Sequence, residues 1–108
     1  MAFRDFRDWM KKIEKAGLLK RISAKVDWDL EMGAIIRRVI DQEGPAILFE
    51  NIKDYQKTTC NKVFMNGMGT REMVAFGLGL PRQSSYRDMV VYIKDKLSQN
   101  IDPIKVKT

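Results

Sequence analysis

Gly44-Pro45-Ala46-Ile47-Leu48-Phe49-Glu50-Asn51 is the segment from which the rest of the chain can be laid out. The glycine and proline stop whatever precedes them, and the four apolar residues that follow read as a strand. Upstream, Leu30, Met32, Ile35, Ile36, Val39 and Ile40 recur at helical spacing over a broad face. This predicts a helix capped by Asp27 or Asp29 and ending before Gly44. Downstream, the turn-rich residues Asn51 to Asn61 lead to a further strand at Lys62 to Met65. The loop Asn66-Gly67-Met68-Gly69 then feeds a short helix from Thr70 that stops in Gly77, Gly79 and Pro81.

Farther out, Phe3, Phe6, Trp9, Met10 and Ile13 alternate with charged residues at three- and four-residue steps, the pattern of an amphipathic helix. Gly17 supplies its stop, and Leu18 to Ile22 is a short strand candidate. Ser85 with Asp88 three residues later forms a capping box, opening a helix with Tyr86, Met89, Val90, Ile93 and Leu97 on one face. Ile101 to Thr108, with Pro103, suits an edge strand or a linker. The order helix, strand, helix, strand, strand, helix, helix predicts an α+β fold: a small mixed β-sheet packed with about four helices in a single compact domain over residues 1–100.

Length and composition agree. A chain of 108 residues, 44% hydrophobic and 31% charged, has the length and make-up of one globular domain. Such a chain buries roughly two thirds of its unfolded surface. No apolar run approaches the roughly 18 residues of a membrane span, and the first residues interleave charges with apolar side chains. A lone cysteine, Cys60, makes no internal disulfide, so the expected location is the cytoplasm. Twenty Lys and Arg against fourteen Asp and Glu leave a net charge of +6, without any block of five like charges.

The chain has no histidine, which removes Ser-His-Asp and Cys-His nucleophile activation and most transition-metal ligand sets. Cys60, beside Lys62, lacks a base and a resolving cysteine and reads as an ordinary loop residue. Asp5 and Asp8 share a helix face, but Arg4, Lys11 and Lys12 surround them, so they read as a charge-balanced wet surface, as do Asp41 and Glu43. The most site-like feature is the loop Asn66, Gly67, Gly69, Thr70 and Arg71, where small residues, a helix start and an arginine suit an anion or a neighbouring domain. It matches no dinucleotide or phosphate-loop signature, and a structural turn competes with the site reading. No catalytic, cofactor-binding or metal-binding residue is assigned. Trp28, between two aspartates, is either a surface packing residue or faces a partner.

Several segments, in order, resemble the N-terminal domain of the UbiD family of reversible decarboxylases. Glu14-Lys15-Ala16-Gly17 running into Leu18 to Ile22 resembles that family's first helix and strand. Val26-Asp27 with Leu30-Glu31-Met32 is similar to its next segment, although the family often has proline where this chain has Trp28. Gly44 to Asn51 is the closest match. Asn66, Gly69, Thr70 and Arg71 look like the family's turn before a helix, with Gly67-Met68 in place of a bulkier pair. The resemblance implies a parent several times longer, acting on aromatic or α,β-unsaturated acids through prenylated FMN with a divalent metal and potassium. The family's essential Glu-Arg-Glu set has no counterpart here. The implied role is a non-catalytic scaffold against a flavin-binding domain of the same parent, itself a homo-oligomer or a multi-subunit assembly. Residues 101–108 would be the linker toward that domain, and the chain would be a fragment, inactive alone and holding no cofactor. Two other readings are a small basic nucleic-acid-binding module and an adaptor subunit of a multi-subunit carboxylase; neither a membrane nor a nucleic acid is the expected partner.

Overall fold

A computed structural model describes residues 3–108. The elements are α1 (Phe6–Lys15), β1 (Leu19–Ile22), α2 (Glu31–Asp41), β2 (Ala46–Phe49), β3 (Val63–Met65), α3 (Arg71–Gly77) and α4 (Tyr86–Leu97). The three strands form one sheet in the order β1-β2-β3, with β1 parallel and β3 antiparallel to β2. Four helices on a mixed three-stranded sheet are the α+β arrangement expected. The β1–β2 pairing is parallel because the connection passes through α2, which crosses the sheet and returns the chain in the same direction.

β2 is buried at all four positions, and alternation of its side chains splits the core in two. Ile47 and Phe49 face α2 in a cluster with Val26, Met32, Ile36 and Ile52. Ala46 packs with Ile13 of α1, Leu18 and Met73 of α3 on the opposite face. The unbroken apolar run Ala46 to Phe49 is therefore the signature of a strand covered on both sides.

The termini of the helices follow local chemistry. Asp5 caps α1 by accepting from the Asp8 amide at 2.8 Å. The helix begins after that cap, so Phe3 lies outside it. At its end Leu18 N–H donates to Ile13 and Gly17 N–H to Glu14, a Schellman motif with Gly17 at φ +77°. Gly79 closes α3 in the same way, through Leu80 to Ala75 and Gly79 to Phe76. α2 ends likewise, but with Glu43 at φ 50° in the position glycine prefers.

The start of α2 departs from expectation. Neither Asp27 nor Asp29 caps it. Leu30 occupies the N-cap at φ 63°, ψ −41°, without a side-chain hydrogen bond to the helix. The Glu31 amide reaches the Asp29 carbonyl at 2.7 Å across it, a tight three-residue turn. Asp27 instead folds the approach by accepting from the Asp29 amide at 2.9 Å, an Asx turn. For the tail, only the edge-strand alternative is not met. Residues 100–108 form no strand, and Ile101 and Ile104 are exposed. With that tail included, the radius of gyration is 17.0 Å, against about 13 Å for a compact chain of this length.

Asp8, Glu14, Asp27 and Asp88 are all held below the ordinary carboxylate range. The first cause is Lys12 for Asp8, Arg21 for Glu14, the Asp29 amide for Asp27 and the Ser85 amide for Asp88. A depressed folded pKa contributes stability that is present above the unfolded value and lost as pH falls through the folded one. With no histidine to titrate, the urea midpoint should stay flat from about pH 5 to 7 and decline below about pH 4. A midpoint that rises as pH falls from 5 to 3 would contradict this.

Candidate docking surface

The loop of residues 66–71 is a latch whose polar groups are turned largely onto the chain itself. Asn66, at φ 63°, donates from Nδ2 to the carbonyls of Gly44 at 3.3 Å and Pro45 at 3.1 Å, tying the entry of β2 to the exit of β3. A β-carbon on Gly69 would lie 1.8 Å from Asn66 Oδ1, and one on Gly67 would lie 2.6 Å from both the Phe64 and the Trp9 rings. Both glycines are therefore close-approach residues. Thr70 caps α3 by accepting from the Met73 amide at 3.2 Å. Arg71 Nη1 donates to the carbonyls of Ser84 at 2.7 Å and Gln83 at 3.3 Å.

So Asn66, Gly67, Gly69, Thr70 and Arg71 come together; Asn66, Thr70 and Arg71 bond backbone groups of this chain, and the two glycines abut its side chains. The cleft beside Arg71 is also lined by Glu43 and Glu72. Two carboxylates next to the arginine oppose an anion there. The other sequence candidates stay apart. Cys60 is exposed, and Asp8 pairs with Lys12 at 2.9 Å, while Asp41 pairs with Arg37 at 3.1 Å. Trp28 is exposed, with its ring set at 84° to that of Tyr55 and the centroids 6.3 Å apart.

Arg71 also fixes the base of α4. Its two carbonyl partners immediately precede Ser85, which caps α4 in a reciprocal capping box with Asp88. Arg82 adds an ion pair to Glu72 and a hydrogen bond to the Ala16 carbonyl at 3.1 Å. Beyond this anchored base only Met89 of α4 is buried. Tyr86, Val90 and Leu97 are 69%, 64% and 69% exposed, and Ile93 is exposed as well. Apart from Met89, the apolar stripe visible in the sequence is thus a helix face with no covering element among the described residues. Such a stripe on a pre-formed helix can bury itself against a second apolar surface.

No group of three or more His, Cys, Asp or Glu able to hold a metal ion occurs among the described residues. The donor set does not fit the divalent metal implied by the resemblance. Nor is any helix among them long and apolar enough to cross a membrane.

Comparison with known proteins gives concordant results. A family model of the 3-octaprenyl-4-hydroxybenzoate carboxy-lyase N-terminal domain matches residues 10–93. The closed form of vanillic acid decarboxylase from Sedimentibacter hydroxybenzoicus is 25% identical, with a TM-score of 0.81 over 91% of this chain and 20% of that one. Its open form is 27% identical, with a TM-score of 0.75 over 84% of this chain and 19% of that one. A UbiD-class enzyme from Pelotomaculum thermopropionicum, solved in complex with FMN, is 29% identical, with a TM-score of 0.58 over 70% of this chain and 16% of that one. The chain therefore spans 20% or less of the length of these solved proteins.

Proposed function

The chain belongs to the family of 3-octaprenyl-4-hydroxybenzoate carboxy-lyase N-terminal domains, and from that premise we propose that it is the non-catalytic scaffold of a UbiD-like reversible (de)carboxylase. The parent acts on aromatic or α,β-unsaturated carboxylic acids through prenylated FMN. The flavin, divalent metal and potassium sit in a part of the parent outside this chain. The observation that carries the reading is the uncovered stripe of Tyr86, Val90, Ile93 and Leu97 on a helix whose base is bolted down by Arg71 and Arg82. The flavin-binding domain of the same parent covers that stripe, and residues 101–108 lead toward it. The loop of residues 66–71 serves this by holding the base of α4 at a fixed angle to the sheet. The parent assembles as a homo-oligomer or with other subunits in the cytoplasm.

What supports the reading is the greater length of the matching proteins, the FMN in one of them, and a donor set here without histidine. The nucleic-acid alternative has less behind it, because the chain has no block of five like charges and acidic residues sit among its first lysines. The full-length polypeptide carrying Val90→Asp and Leu97→Asp is the test. Burying two unpaired carboxylates in an apolar contact costs several kcal/mol, so decarboxylase turnover should fall by roughly tenfold or more. The isolated chain with the same exposed-site changes should keep its helical circular dichroism. Undiminished turnover in the full-length variant, or decarboxylation of an acid by the isolated chain, would sink the proposal.

A further inference from the structure

A cavity lies where α1 overhangs the sheet face that carries Leu48 and Phe64. It encloses about 600 Å³, within the range of small-molecule sites. Its apolar floor is Phe6, Met10, Leu48 and Phe64. Phe6 is 55% exposed although its ring stands edge-on to Phe64 at 5.1 Å, so an aromatic surface is left facing the space.

The polar part of the wall is cationic. Arg7 and Lys11, one helical turn apart on α1, stand beside Phe6 and Met10, and Arg21 and Lys62 approach from the sheet. Their charge states of engagement differ. Arg21 is held by Glu14 at 3.0 Å and Glu50 at 3.3 Å, and Lys62 reaches Glu50 at 3.6 Å. Arg7 and Lys11 have no ion-pair partner among the described residues. Asn61 and Thr59 add neutral hydrogen-bonding groups on the far wall. The two nearby carboxylates are thus already paired, and the unsatisfied capacity of the cavity is positive charge above an aromatic and aliphatic floor.

The geometry points to a binding site for a small organic anion with a flat apolar body, its acid group between Arg7 and Lys11 and its ring on Phe6, Met10 and Phe64. A planar ring gains from edge and face contact with the two phenylalanines, and a carboxylate gains from a guanidinium and an ammonium that no described residue pairs. An inorganic anion lacks the first contribution and a neutral aromatic the second. The inference stands on this cavity alone and does not depend on what covers α4.

The test is a titration of the 108-residue chain, followed by ¹⁵N–¹H NMR, with sodium 2-naphthoate as the probe. 2-Naphthalenemethanol supplies the same ring without charge, and inorganic phosphate supplies charge without the ring. Saturable shifts at the amides of Arg7, Lys11, Leu48, Asn61 and Phe64 are expected, with each comparator about tenfold weaker. The doubly substituted chain Arg7→Gln, Lys11→Gln loses only two exposed side chains. It should keep its spectrum elsewhere and bind the probe roughly fivefold to tenfold more weakly. Shifts confined to α4, no saturable shifts, equal affinity for the neutral alcohol, or unchanged affinity in the double variant would each overturn the assignment.

Discussion

Phe49→Ala should cost about 3–5 kcal/mol and lower the urea midpoint in proportion. Phe49 is completely buried at the end of β2, among Val26, Met32, Ile36, Ile47 and Ile52. Its ring fills the space between β2 and α2, and truncation removes both its transfer free energy and the contacts of every neighbour around the cavity. A domain of this size has only about 5–15 kcal/mol in total, so one such change consumes a large part of it. Urea unfolding followed by circular dichroism measures the loss. A cost below about 1 kcal/mol would mean that α2 collapses onto the vacated space and that the two-sided burial of β2 is not what holds the sheet.

The second large effect is at Gly69, and it is conditional. Gly69→Ala places a methyl group 1.8 Å from Asn66 Oδ1, and the Asn66 side chain is short and held by two carbonyls, so it has nowhere to swing without breaking the latch. The loss of the bonds to Gly44 and Pro45, with the overpacking, should destabilise by about 2–4 kcal/mol. Asn66→Ala alone should cost about 1–2 kcal/mol. Once the asparagine is gone the three atoms nearest to the methyl group are removed, so the double variant should be little worse than Asn66→Ala. That is a strongly non-additive cycle. Strict additivity of the two losses would refute the steric account.

The sequence carried different parts of this architecture with different clarity. Ala46 to Phe49 announced a strand because four apolar residues after Gly-Pro have few other uses, and Ser85 with Asp88 announced the start of α4 because a capping box is entirely local. Gly17 and Gly79 were equally local, as both close helices in Schellman motifs at positive φ. The start of α2 misled because two aspartates preceding an apolar helix imitate a cap. The chain instead closes a three-residue turn at Leu30, a conformation no residue propensity favours. The loop of residues 66–71 was legible as a cluster of special residues but not as a latch. Its partners lie 21 residues away at Pro45 and 13 away at Ser84, and only the folded chain brings them within reach. Periodicity gave the apolar face of α4 without saying whether anything packs on it. Of the cavity cations, Arg7 and Lys11 share one helix face, but Arg21 and Lys62 join them only in the folded chain.

The capping box of Ser85 and Asp88 determines how α4 would associate as well as where it begins. Two of the four orphan amides at its start are satisfied within the chain, and its base is tethered, so the helix exists before any surface meets it. Association then involves desolvation of an existing stripe and no coil-to-helix transition. The heat-capacity change on covering the stripe should accordingly track the apolar area that Tyr86, Val90, Ile93, Leu97 and the surface facing them bury, without a contribution from folding of α4.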